Sequence, residues 1–360
     1  MEKKDLRIIF MGTPEFAVES LKRLVEGGYN VVAVVTQPDK PVGRHQDTLQ
    51  PSQVKQYAVE QGLPVLQPVK MKDPEFVEQL RSYQADLQVV VAFRMLPEVV
   101  WSMPKFGTFN VHAALLPQYR GAAPINWAVI NGEKETGVTT FFLDHDIDTG
   151  RIIMQKRFPI PESANVEYVY DGLMYLGAEL ALETVDALIA ADGKIESMPQ
   201  EKLIGEGVEL KSAPKIFKET CRIDFHKPVK QVYDFIRGLS PYPGSWTEIK
   251  KKAPVVIFED ADGEMPEATA HPAQQKSAAK IQVLKIFKTS LTEFSRGVAP
   301  VGSLRVFEKK LQVACLDQWL NIEELQLSGK KRMDAAAFLN GMKDIAYYEC
   351  QKAQETEEEW

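Results

Sequence analysis

The sequence predicts an α/β domain built on a mostly parallel sheet, followed by a smaller β-rich domain. Three observations support this. Short apolar runs alternate with helix-period segments through the first half, the pattern of βαβ units joined by right-handed crossovers. Some of these runs are apolar at nearly every position, as strands covered on both faces are. Beyond a polar stretch carrying Pro199, Gly205, Gly207 and Pro214, short β-like runs separated by turns take over, which suggests a small barrel or sandwich.

In chain order, Arg7-Ile8-Ile9-Phe10-Met11 reads as a strand that ends in the turn Gly12-Thr13-Pro14. Phe16, Ala17, Ser20, Leu21, Leu24 and Val25 follow at helical spacing, and Gly27-Gly28 supplies a stop. Val31 to Val35 is a continuous apolar run, and Leu87 to Ala92 repeats it after a helix around Pro74 to Tyr83. Phe109 to His112 and Val138 to Leu143 are further strands, and a long helix covers about Asn165 to Ala191. In the second part, Val229 to Gly238 and Asp334 to Lys343 read as helices. Strands are expected at Thr247–Ile249, Val255–Phe258, Lys280–Phe287, Gly302–Phe307 and Leu311–Leu316. These patterns divide the chain into a first domain 1–192, a linker 193–214, a second domain 215–348 and an acidic tail 349–360.

Composition sets the class. At about 150 residues per domain, 360 residues make roughly two domains. With 44% hydrophobic and 26% charged residues, the chain is neither disordered nor collagen-like. No apolar run approaches the about 18 residues of a spanning helix, and the start reads as a first strand rather than a signal peptide, so no membrane partner is expected. Cys221, Cys315 and Cys350 lie far apart without a C-x-x-C, which predicts free thiols in a reducing, cytoplasmic setting. The net charge of −7 is uneven: residues 206–348 carry +4, the first 205 carry −7 and the tail carries −4. A basic second part on an acidic protein fits a polyanionic partner, and scattered solvated lysines would give the same count.

Several chemistries are excluded by residue type. The first turn lacks G-x-G-x-x-G, and Pro14 and Glu15 sit where a pyrophosphate would meet the helix start, which argues against a dinucleotide enzyme. None of the five histidines pair at zinc spacing. Asp144, Asp146 and Asp148 open like a calcium loop, but Thr149 and Gln155 stand where that loop needs Gly and Glu. No metal is expected. Asn110 and His112, by contrast, lie two apart on a strand and project to one face. An amide there can donate to a developing oxyanion, and an imidazole can accept a proton near neutrality. Asp148, just after the Val138–Leu143 run, can orient that imidazole if the two strands are neighbours. A histidine making ordinary hydrogen bonds at a strand end would read the same way.

Asn110-Val111-His112, Ala114 to Pro117, Arg120-Gly121-Ala122-Ala123-Pro124-Ile125 and Asp148-Thr149-Gly150 together resemble the folate-dependent formyltransferases. Gly12 to Phe16, Thr36 to Arg44 and Pro51-Ser52-x-Val54-Lys55 narrow the resemblance to the branch acting on methionyl-tRNA. It runs from about Arg7 to the last helix and includes Arg222 to Phe225 and Pro241 to Trp246. The resemblance implies a Rossmann-like first domain and an OB-like second one. It implies an enzyme that transfers a formyl group from 10-formyltetrahydrofolate to the free amine of methionine on initiator tRNA, releasing tetrahydrofolate, for translation initiation. Residue by residue, it assigns Asn110, His112 and Asp148 to catalysis, and Ala114, Leu115, Leu116 and Pro117 to folate. Phe16 falls on a substrate-side aromatic position and Arg44 on a loop that enters the acceptor end of the tRNA. Lys250 to Lys252 and Lys330 to Arg332 are expected to hold tRNA phosphates, and a cytoplasmic monomer is expected. The chain departs from the family at Ala114, usually Ser, in the lysine-poor loop 45–50, and at Val91 to Pro97, where Arg94 stands as a strand-end cation. Two other readings are a formyltransferase for a nucleotide-linked amino sugar and a non-catalytic RNA-binding protein.

Overall fold

The structure, a computed structural model, describes residues 1–42, 48–252 and 281–352. It divides into two compact units, Met1–Ile216 and Phe217–Trp360. The first contains, in order, β1 Arg7–Gly12, α1 Glu15–Glu26, β2 Asn30–Val35, β3 Lys40–Val42, β4 Thr48–Gln50, α2 Gln53–Glu60, β5 Val65–Leu66, α3 Pro74–Ser82, β6 Leu87–Val91, α4 Glu98–Trp101 and β7 Thr108–His112. It continues with β8 Arg120–Gly121, α5 Pro124–Ile130, β9 Glu135–Phe142, β10 Ile152–Pro159, α6 Val166–Ala190 and β11 Ser212–Ala213.

Among the described residues, seven strands form one sheet in the order β10-β9-β7-β6-β1-β2-β5. Strands β1, β2, β5, β6 and β7 are parallel; β9 runs antiparallel to β7, and β10 to β9. Both faces are covered, which is why β1 is apolar from Ile8 to Met11. Ile8 and Phe10 pack with α1 and α6, and Ile9 and Met11 with α3. Each fully buried side chain of this size contributes about 2 kcal/mol. The chain builds one side of β1 first and then crosses to the other, so strand order reverses between β1 and β6. Ligands of open α/β sheets bind at the carboxyl ends of strands beside such a reversal.

Residues 193–214, which composition suggests as a linker, pack onto the first unit. Met198 bridges Ile152, the Tyr119 N–H donates to Lys211 O at 2.7 Å, and β11 pairs in parallel with β8. The contacts are made by backbone and by polar side chains such as Gln200 and Lys211, so the stretch shows no apolar period. Gly121 is required here: its φ is +126°, and a Cβ would stand 2.5 Å from Ala213 O.

The second unit contains α7 Val229–Gly238, β12 Ser245–Lys251, β13 Gln282–Ser295, β14 Leu304–Phe307, β15 Lys310–Ala314, β16 Gln318–Leu327, β17 Met333–Asp334, α8 Ala335–Gly341 and β18 Tyr348–Cys350. Among the described residues its antiparallel sheet runs β14-β15-β16-β13-β12-β18, with β17 added to β16. The ends meet where Ser303 bridges Glu349 and the Cys350 N–H donates to Gly302 O at 2.8 Å. That contact nearly closes the barrel, as the OB-like expectation requires. Its interior holds Ile249, Leu284, Ile286, Leu311, Val313, Leu320 and Ile322, and α7 packs Val232 and Ile236 against them. The strand expected at Val255–Phe258 lies outside the described residues.

Candidate active site

A cleft of about 640 Å³ opens at the strand-order reversal and takes in Pro14 after β1, Ala92 after β6, and Asn110 and His112 of β7. Alternation on β7 explains the pair. Phe109 and Val111 drop into the core shared with α1 and α6, so Asn110 and His112 face the other way. Strand β9 lies directly beside β7, with Asn110 opposite Phe141 and His112 opposite Thr139. The loop leaving β9 therefore returns over the cleft and delivers Asp148.

The geometry of the three groups is specific. His112, 6% exposed, has Nε2 2.9 Å from Tyr119 O, and Nδ1 3.8 Å from Asp148 Oδ2. A carbonyl only accepts, so the neutral imidazole carries its proton on Nε2 and leaves Nδ1 as a lone pair toward the cleft and Asp148. Asp148 Oδ2 also accepts the Gly121 N–H at 3.0 Å. The Asn110 Oδ1 is buried with no partner among the described residues, so this amide is uncommitted. Three non-glycine residues with left-handed backbone surround the site: Ala92 (φ 47°), Tyr119 (φ 59°) and Asp148 (φ 56°). Such conformations cost on the order of 1–3 kcal/mol each and persist where the surroundings over-determine them.

The walls are largely apolar. Phe93, Met95, Leu96, Trp101, Leu143 and Ile147 line one part, with Asp144, Asp146 and His145 at its rim. His145 meets Trp101 edge to face at 5.4 Å, and its Nδ1 lies 3.8 Å from Glu98 Oε2. Phe16 lines the cleft and stacks edge to face with Tyr170 at 5.3 Å. Burial holds the Tyr170 phenol above the usual tyrosine range. Among the described residues no three His, Cys, Asp or Glu side chains are grouped to hold a metal.

Ala114, Leu115, Leu116 and Pro117 do not line the cleft. Ala114 and Leu116 are buried, and three backbone polar groups of this stretch bond side chains of the neighbouring strands. Thr139 Oγ1 donates to Ala114 O at 2.6 Å and accepts the Leu116 N–H, and Gln155 Nε2 donates to Leu116 O. The segment is thus anchored to β9 and β10 through Thr139 and Gln155. Arg94 is not an exposed cation. Its guanidinium donates to Pro68 O and Val69 O, and burial lowers its pKa. The residues bordering the site that sequence reasoning missed include Tyr119, Trp101, His145 and Tyr170. Only Tyr119 was signalled, by its place before the quoted Arg120-Gly121.

On the nucleic-acid side, Arg44 lies outside the described residues, as do His45, Gln46 and Asp47. The hairpin of β3 and β4 that flanks it is tied down by Asp39, which accepts from Lys55 Nζ at 2.6 Å and Gln67 Nε2 at 2.7 Å. These two donors hold the Asp39 carboxyl below the usual range. In the second unit, Lys251 pairs with Asp344 and Arg332 with Glu324, while Lys330 and Lys331 are exposed.

The model of the family described as formyl transferase matches residues 6–185, and that of the formyl transferase C-terminal domain matches residues 215–343. The chain is 57% identical over 349 residues to a methionyl-tRNA formyltransferase of Parabacteroides distasonis, covering 97% of this chain and 99% of that one. It is 60% identical over 342 residues to the enzyme of that name from Phocaeicola vulgatus, covering 95% and 97%. Among solved structures, WlaRD, described as a sugar 3N-formyl transferase, superposes with a TM-score of 0.57 at 18% identity over 91% of this chain and 99% of its own, a likeness of fold.

Proposed function

The chain belongs to the formyl transferase family, and from that premise we propose that it transfers the formyl group of 10-formyltetrahydrofolate to the free amine of initiator methionyl-tRNA. The observation that carries the reading is the meeting of an uncommitted amide, an imidazole with a free Nδ1 and a carboxylate at the strand-order reversal.

The amine attacks the formyl carbon and gives a tetrahedral intermediate bearing O⁻ and an ammonium. Asn110 donates to the O⁻, a role worth about 3–4 kcal/mol in acyl transfer. His112 Nδ1 takes the ammonium proton, because Nε2 is already committed to Tyr119 O. Asp148 stands close enough to stabilise the imidazolium while staying ionised. The intermediate collapses by breaking the bond from the formyl carbon to the folate nitrogen. His112 returns the proton to that nitrogen, so amide product and tetrahydrofolate leave and no covalent enzyme intermediate forms.

The apolar wall of Phe93, Met95, Leu96 and Trp101 suits the flat pterin, and Ala114 to Pro117 are held by β9 and β10. Phe16 and Tyr170 border the acceptor side. The tRNA is held by phosphate contacts from Arg44 and from the second unit, where Lys330 and Lys331 are exposed and form no ion pair among the described residues. The enzyme works as a cytoplasmic monomer.

The test offers purified protein 10-formyltetrahydrofolate with charged initiator tRNA or with a nucleotide-linked amino sugar. Formyl-methionyl-tRNA as the dominant product supports the reading. Preference for the sugar, or no product from either amine, overturns it.

A further inference from the structure

We propose that Gln200, beyond the last helix of the first unit, is the positioning residue that locks the His112–Asp148 couple; this rests on the formyl-transfer reading above. Gln200 lies in a 3-10 turn, Gln200–Leu203, and is completely buried. Its Nε2 donates to Asp148 O and to Gly150 O, both at 2.8 Å. Its Oε1 accepts from Arg120 Nε at 3.1 Å and Nη2 at 2.7 Å. Only one orientation of the amide works, since carbonyls cannot donate and a guanidinium cannot accept.

Arg120 stands between the two residues that touch the couple from the other side. Tyr119 O receives His112 Nε2, and the Gly121 N–H reaches Asp148 Oδ2. The contacts therefore close a ring: His112 to Tyr119, along the chain to Arg120, through Gln200 to the backbone of Asp148, and from its carboxylate to within 3.8 Å of His112. Asp148 holds a left-handed φ of 56°, a conformation that needs such support. Gly150 is pressed equally hard, for a Cβ there would stand 1.6 Å from Phe142 O. Gln200 does not line the cleft, so it acts through Asp148 and not on substrate.

The experiment is Gln200→Leu in the full chain, with kcat and KM measured for both substrates. A shift of about 1 Å in a reacting group can cost roughly 100-fold, so kcat should fall about tenfold to 100-fold, with both KM values within about threefold. In an Asp148→Ala background, Gln200→Leu should cost nothing further, because the group it positions is gone. The Gly121 amide, which donates to Asp148, should exchange with solvent at least about tenfold faster while amides of β6 are unchanged. Wild-type kcat in a folded variant, a loss confined to KM, an equal loss in the Asp148→Ala background, or unchanged Gly121 exchange would each overturn the proposal. A wild-type protein that formylates no methionyl-tRNA refutes the functional reading instead, and the exchange measurement then decides the inference alone. Should Gln200→Leu not fold, Arg120→Met removes the opposite side of the lock and must show the same fall in kcat.

Discussion

His112 Nδ1 and Asp148 Oδ2 face each other at 3.8 Å, each nearly shielded from water, a separation too long for a hydrogen bond and short enough for an ion pair. The relationship assigns a direction to the proton. In the proposed mechanism Nε2 is spent on Tyr119 O, so the ring nitrogen left to take the proton from the amine is Nδ1, beside the carboxylate.

Asn110→Ala and His112→Ala should each lower kcat by about 100-fold or more, with the Kd for a folate analogue within about threefold. Asn110 is not tied to any strand neighbour by its Oδ1, so its loss costs the fold little. Fluorescence titration of the analogue alongside single-turnover formylation checks both. Near-normal turnover in either variant would remove it from the mechanism.

Asp148→Asn keeps a residue tolerant of the left-handed backbone but abolishes the charge that steadies the imidazolium. A kcat about 100-fold to 10,000-fold lower is expected, by analogy with the orienting acid of other triads, with unchanged thermal stability. Restoration of rate by raising the pH alone is not expected. If the variant were as fast as wild type, the carboxylate would be a mere loop anchor.

Asp39 is held below the ordinary carboxylate range, first by Lys55 and then by Gln67. Its pairing thus favours the fold fully above about pH 4, the unfolded value, and the benefit disappears as the pH falls through the lowered folded value. The gap in unfolding midpoint between wild type and Asp39→Asn should therefore be constant near neutrality and shrink on acidification. A gap that persists down to about pH 2, well under the normal aspartate range, would show that the ion pair is not its source.

The thiols should be inert. Burial pushes Cys350 up to about 12 and raises Cys315 and Cys221 as well. At pH 8 a thiol with that value is thiolate in roughly one molecule in 10,000, against about a quarter for a free cysteine. Mass spectrometry after iodoacetamide should find no label on native protein and label on all three residues in denaturant. Rapid native labelling at any one of them contradicts the burial.

The central strands were legible because they are buried on both faces and are apolar at nearly every position, Gln88 being the exception: β1, β2 and β6 read directly from Ile8–Phe10, Val31–Val35 and Leu87–Val91. Edge strand β10 was not, since Gln155, Lys156 and Arg157 break its apolar content while it pairs on one side only. In the barrel, β16 was hidden by Asn321, which is buried but satisfied by Gln312 and Ser290, so its polarity mimics a surface loop. At the site, the spacing of Asn110 and His112 sufficed to put them on one face. The approach of Asp148 depends on β9 lying antiparallel beside β7, and nothing local encodes that neighbour. Gln200 gave no signal because its contacts are to backbone carbonyls and a distant arginine, which no periodicity reveals.

The late arrival of β11 and the turn at Gln200 has a bearing on how this enzyme comes to life during translation. Every reacting side chain emerges from the ribosome before the stretch that clasps the loop around Asp148 and caps the β8 edge. A nascent chain halted after α6 would thus display Asn110, His112 and Asp148 without the clasp that Gln200 and β11 supply, so the last part of the first unit to be made is the part that fixes its loops.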